Sequence, residues 1–427
     1  MRVYVLMREK EVVNMKKLIV FILIGIFIFA TDHFQNWRDH PTLQALLRGG
    51  EFYLNTGVFS NSPPWRSGGV SRRGGFIAGN TDIGEQQMPS YNIIGNIADL
   101  RNDGLSMYLG FQDITDKRLA EMVEVGEIPA SVTHLDLRGN VISNVSPLSN
   151  LTNLIELNLW GNQVSDVSPL GNLTRLTLLN LWGNYYADIS PLSNLTNLTS
   201  FSLGDNIYFN GDISTLSNFS NLTHLGLGGI QISDFSPLES LAKLECFRLW
   251  GVSELRDFSV FVPLMNLTSL TVHGAMVEDF THLRNLTNLT RLELQSMQIS
   301  DISSLSLGSL PKLTELTLFN AQIDDILELS GLTNLTLLDL SKNQISDISA
   351  LSQLENLNML FLHDNEINNI SALSELAGLK TLFLDGNQIS DISALSGLAD
   401  SMQLVLYNNQ ITDWSPVAHI GCVSGRP

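Results

Sequence analysis

The sequence predicts an α/β solenoid: an arc of stacked coils with a parallel β-sheet on its concave side, 3₁₀ or irregular segments on its convex side, and a helical N-terminal cap. Two observations predict it. An LxL unit starts at Leu135, Leu157, Leu179, Phe201, Leu225, Phe247, Leu270, Leu292, Leu316, Leu338, Leu360, Leu382 and Leu404, with spacings of 22, 22, 22, 24, 22, 23, 22, 24, 22, 22, 22 and 22. A unit of that length cannot bury its apolar face alone but can when stacked on its neighbours. Apolar residues make up 44% of the 427 and charged residues only 16%, which supplies a long core and excludes global disorder.

Taken in chain order, residues 15–30 read MKKLIVFILIGIFIFA. Lys16 and Lys17 precede an unbroken apolar run of 13 residues, Leu18 to Ala30, which suits a signal peptide and is short of the roughly 20 a membrane span needs. Residues 1–30 are therefore expected to be a signal peptide, with Met15 the better initiator and cleavage after Ala30; an uncleaved anchor is the alternative. No Cys follows the run, so a lipid anchor is not expected. Residues 31–105 form a linker or an unassigned region, with Gly57 to Asn80 rich in Gly, Ser, Pro and Arg. In the expected cap, residues 106–132, the segment TDKRLAEMVEV reads as a helix with Thr115 as its N-cap, Leu119, Met122 and Val123 on one face, and Gly126 closing it. Residues 133–420 hold about 13 repeats, and 421–427 are a tail.

Within a repeat, the two leucines of LxL alternate with variable residues at period two, the pattern of a short strand buried on one face. An Asn such as Asn140, Asn162, Asn343 or Asn387 follows where the chain leaves the strand, and stacked copies form a ladder that satisfies buried backbone groups. Ser-Pro at 168 and 169, and again at 190 and 191, predicts a serine cap and a proline-initiated 3₁₀ turn on the back of each coil. Five successive coils replace the Asn by Ile230, Val252, Ala275, Met297 and Ala321, which predicts a locally apolar ladder; the alternative is an altered curvature that shapes a binding region there.

The clean copy LLDLSKNQISDISALSQLENL, Leu337 to Leu357, carries the leucine-rich repeat signature. Its 22-residue unit resembles that of the internalin family of bacterial surface proteins over about residues 112–420. The resemblance implies that the partner is a host or neighbouring-cell surface protein; no cofactor is expected.

Charge narrows the partner. The net charge is −19, and residues 129–427 carry 11 basic against 29 acidic side chains, which argues against nucleic acid or an anionic membrane surface. Contact with a membrane is expected only through the signal segment if it stays uncleaved, and the expected state is a monomer. Two cysteines, Cys246 and Cys422, exclude a disulfide scaffold and lie about seven coils, or roughly 34 Å, apart. His134, His224, His273 and His363 are scattered over separate coils, and no GxSxG, HExxH or phosphate-binding loop is present, so no enzyme is expected. The recurrent Asp at 166, 188, 234, 279, 301, 325, 347, 391 and 413 reads as an acceptor for backbone N–H groups in the turn; a calcium site would need a denser oxygen set.

Specificity then rests on the variable residues that flank the strand leucines, because they alone point into the concave face. The candidate ligand-binding set is Glu156, Asn158, Trp160, Asn180, Trp182, Arg248, Trp250, Phe319, Phe361, Phe383 and Tyr407. Trp160 and Trp182, one coil apart, are expected at stacking distance, and Phe361, Phe383 and Tyr407 as a second cluster. The expected ligand is a protein. A carbohydrate stacked on Trp160, Trp182 and Trp250 is the alternative, and a scaffold for an enzyme is a third reading.

Overall fold

The computed structural model describes residues 105–299 and 301–426, so the expected signal peptide and the stretch 31–104 lie outside the described residues. Among the described residues fifteen short strands form one parallel sheet in chain order, and from the second strand to the fourteenth a 3₁₀ segment returns the chain to the start of the next. The register follows the repeat: Leu157 stands opposite Leu135 and Leu179, and Leu338 opposite Leu316 and Leu360. Two rungs lie beyond the thirteen LxL units, and neither carries the motif. Ser106–Tyr108 pairs with His134–Asp136 ahead of the first repeat, and Cys422–Ser424 pairs with Gln403–Val405 after the last. The regions expected as cap and tail thus each contribute a strand.

Between the first two strands runs the α-helix Asp116–Glu124. The Thr115 side chain accepts the Arg118 N–H at 3.3 Å, Leu119 and Met122 are buried, and Gly126 beyond the last turn has a φ of +77°. The helix packs against the 3₁₀ turn Ser146–Asn150, so it occupies the place that 3₁₀ turns take in later coils.

The strand and back-face leucines, isoleucines and valines stack into one continuous core along the solenoid. A fully buried Leu contributes roughly 2 kcal/mol by transfer from water. The capping of the back turns differs from the expectation. Ser168 and Ser190 are the first residues of their 3₁₀ turns and Pro follows them; no residue at the cap position itself bonds the turn. The cap comes from the Asp two residues earlier: Asp166 Oδ1 accepts the Ser168 N–H at 2.9 Å and Asp188 Oδ1 accepts that of Ser190 at 2.8 Å. A carboxylate outcompetes a serine hydroxyl because its full charge strengthens the bond to the N–H.

The Asn ladder forms as the spacing predicts. Asn162 Oδ1 accepts the Ile142 N–H, while its Nδ2 donates to the carbonyls of Leu137 and Leu159, each at 3.0 Å. In the coils that lack this ladder the strands lengthen from three residues to five, from Ser200–Gly204 through Arg291–Gln295. Asn206, at the entrance to that region, donates to the Tyr186 hydroxyl and the Gly204 carbonyl instead. Sheet pairing therefore supplies the backbone partners that the amide supplies elsewhere, and Ile230, Val252, Ala275 and Met297 are free to be apolar and buried. Ala321, also buried, follows a three-residue strand, and its N–H is accepted by Asn343 Oδ1 of the next coil at 2.9 Å.

A second ladder was not foreseen. The Asn four residues before the start of an LxL unit donates to the preceding coil in several repeats, as Asn197 does to the Thr174 carbonyl at 2.8 Å and Asn288 to that of Met265 at 2.9 Å. Threonines add a parallel row, with Thr199 Oγ1 donating to the Thr177 carbonyl and Thr290 to that of Thr268.

Candidate functional site

Three columns of side chains rise from the concave face: the residue before each strand leucine, the one between the two leucines, and the one after them. Their spacing is that of neighbouring parallel strands, about 4.8 Å, so long side chains meet across one or two rungs.

In the N-terminal third, Glu156 lies 3.7 Å from His134 Nε2, and burial raises its pKa while the histidine opposes the rise. Asn158 and Asn180 are buried, and each Oδ1 accepts the N–H two residues on, that of Trp160 at 3.0 Å and that of Trp182 at 3.1 Å. Their acceptors thus hold the chain as it leaves the strand. Asp136 does the same for Arg138 and also pairs with its guanidinium at 3.0 Å.

The two tryptophans of this region have separate partners. Trp160, partly exposed, meets Phe111 edge to face at 6.0 Å. Trp182 is only 6% exposed and meets Trp250 edge to face at 5.2 Å, three rungs away. It reaches that far because two intervening rungs carry glycine. A Cβ on Gly204 would stand 2.5 Å from the Trp182 ring, and one on Gly228 2.6 Å. The indole N–H is held by Asp205 Oδ2 at 2.6 Å. The expected Trp160–Trp182 stack is replaced by these two pairs, because the ring follows the empty space over the glycines. Arg248, partly buried, stands in the middle column beside Trp250.

The centre holds a polar network absent from the candidate set. Glu293 Oε2 accepts the Thr271 hydroxyl at 3.3 Å, and its Oε1 meets His273 Nε2 at 3.1 Å and the Gln295 amide. Burial pushes the Glu293 pKa up, but the hydrogen bonds from His273 and Thr271 and the positive charges of His273 and Arg291 outweigh it and hold the carboxyl below the usual range. The signal was present in the sequence as donors and an acceptor at matching positions of adjacent coils, and it is legible only once the columns are aligned.

In the C-terminal third, Phe361 and Phe383 meet edge to face at 5.2 Å, with Phe361 partly exposed and Phe383 buried. Phe319 lies 6.3 Å from the His363 ring, and the Lys342 ammonium stands 5.6 Å over it. Tyr407 is 39% exposed. Asp385 is buried beside this cluster, and Asp339 accepts the Ser341 N–H at 3.0 Å. Among the described residues no group of three His, Cys, Asp or Glu side chains gathers in a way that suits a metal ion.

The family of Leucine Rich repeats (2 copies) matches residues 130–172, 152–194, 287–331 and 333–378. No curated protein matches the chain. Among solved structures, an internalin (InlF) from Listeria monocytogenes is 34% identical with a TM-score of 0.51, over 69% of this chain and 80% of that one. A leucine-rich repeat protein of Leptospira interrogans, 21% identical, shares the fold with a TM-score of 0.60 over 72% of this chain and 91% of that one. The functional domain of InlJ from Listeria monocytogenes shares it at 21% identity and a TM-score of 0.51, over 74% and 70%. On the repeat length, the sheet register and this identity, the chain belongs to the internalin-like family of bacterial leucine-rich repeat proteins.

Proposed function

We propose that the chain is an exported, non-enzymatic binding protein whose concave face engages a protein partner on a host or neighbouring cell. The observation that carries the reading is the row of partly exposed aromatics on one rigid sheet face: Trp160, Trp250, Phe319, Phe361 and Tyr407. Rigid aromatics with little entropy to lose are the side chains that dominate protein interfaces. The burial of Trp182 disfavours the carbohydrate alternative. A sugar ring stacks on an open aromatic face, whereas Trp182 lies against two glycines and points its indole N–H at Asp205.

The test is a panel of purified cell-surface ectodomains run beside a glycan array, each with the wild-type chain and with Trp160→Ala plus Phe361→Ala. Saturable protein binding that the double variant loses supports the reading. Binding confined to glycans, or protein binding indifferent to both substitutions, overturns it.

A further inference from the structure

Asp385 stands in the column after the strand leucines, between His363 on the preceding rung and Tyr407 on the following one. The Asp364 N–H bonds its carbonyl at 2.8 Å, and the Gly386 N–H bonds the Tyr407 carbonyl at 2.9 Å. Its side chain is 4% exposed, and carboxyl Oδ1 has no hydrogen-bond partner. Phe361 and Phe383, in contact with each other, occupy the neighbouring column.

A buried carboxyl with one unpartnered oxygen, eased only by its own backbone N–H, is costly in such a place. Burial, with the like charge of Asp364 adding to it, lifts the Asp385 pKa to about 7. The other facing groups offer no counter-charge: burial pushes His363 down to about 4, so it is neutral, and the Lys342 ammonium sits over Phe319. An Asn would fill the same space at a much smaller desolvation cost, so packing gives no reason for Asp here.

We propose that Asp385 is the floor of a slot that takes one basic side chain, arginine or lysine, from the protein partner, with Phe361, Phe383 and Tyr407 as its aromatic walls. A carboxylate beneath and ring faces beside a cation are the two attractions such a group finds in proteins. The excess of acidic over basic residues in 129–427 draws a basic partner toward this face. Tyr407, the most exposed of the three walls, is the one that turns to admit the side chain. In the free protein a proton fills the role of the missing cation. The inference rests on the concave face being the binding face.

The test uses the full chain and Nα-acetyl-arginine amide as probe, with neutral Nα-acetyl-citrulline amide as control, following the Asp385 carboxyl by NMR. The arginine probe is expected to saturate and to move the Asp385 midpoint downward from about 7. Its affinity is expected to weaken about tenfold between about pH 8 and about pH 6, as the carboxylate fraction falls. An equal response to citrulline, a pH-independent affinity, binding retained in Asp385→Asn, or no binding up to the solubility of the probe would overturn the slot. Probe binding lost in Asp385→Asn supports it whatever partner is found. A protein partner that depends on Trp160 but ignores Asp385→Asn would sink the slot and leave the concave-face reading standing.

Discussion

Trp182 and Trp160 occupy the same column one rung apart, and their neighbours give them different work. Trp182→Ala removes a buried indole, its bond to Asp205 and the filling over Gly204 and Gly228, so unfolding should become easier by about 3 to 5 kcal/mol. Trp160→Ala, at a partly exposed ring, should cost no more than about 1 to 2 kcal/mol and reduce partner binding instead. Urea unfolding of both variants beside a binding titration separates the two roles; equal stability losses would contradict the packing described for Trp182.

Asp385 gives a second residue-scale expectation. Its folded pKa is raised above that of the unfolded chain, so the native state holds the proton more tightly and stability falls as pH rises from about 4 to about 7. Asp385→Asn should remove that slope and raise the melting temperature at pH values above about 7, the larger effect being of the order of a few kcal/mol. Melting curves of both proteins across this range check it, and parallel profiles would show that Asp385 does not titrate there.

At the scale of the repeat, the strand and its back turn are stabilised by different forces. Leu338 lies in the stacked core, where an unpaired carboxylate costs several kcal/mol, so Leu338→Asp should abolish or sharply weaken cooperative unfolding. Asp339, next to it, holds the Ser341 N–H while its burial raises the carboxyl's pKa, so the two effects offset and Asp339→Ala should change stability by no more than about 1 kcal/mol. In the back turn, Asp188→Ala should destabilise more than Ser190→Ala, because the carboxylate is the cap. Asp166, Asp234, Asp279, Asp301, Asp347, Asp391 and Asp413 have pKa values held below the usual carboxylate range by the hydrogen bonds of the following Ser or Thr. A lowered folded pKa contributes stability above the unfolded value of about 4 that is lost as pH falls through the folded one. Acid melting below about pH 4 should therefore begin in the back turns, read as early loss of amide protection there by hydrogen exchange.

For the whole molecule, charge and export give the expectations. Residues 129–427 carry most of the net negative charge, so association with a basic protein partner should slow as salt rises while dissociation changes little; a neutral glycan would associate at a rate that does not depend on salt. Stopped-flow or surface-based kinetics at several salt concentrations decides between them. The export proposal expects a mature chain beginning near Thr31 outside the membrane, and N-terminal sequencing that found Met1 or Met15 on cytoplasmic protein would refute it.

The coil, the strand phase and the core are legible in the amino-acid order, because each depends on residues a fixed distance apart that repeat until chance is excluded. Leu135 through Leu404 stand in register, and Asn162 bonds the Leu137 and Leu159 carbonyls, for that reason. The same order also marked which columns face the concavity. The rungs Ser106–Tyr108 and Cys422–Ser424 escaped it, since they carry no LxL and join the sheet only because an open strand edge was available to pair. Which concave residues are open is settled by packing across the folded coils. Exposure at one column depends on the volumes two and three rungs away, where glycines let Trp182 lie down and Thr271, His273 and Gln295 surround Glu293. A 22-residue period brings each side chain against others 22, 44 or 66 positions distant, and that packing is set by their sizes and not by the motif they share.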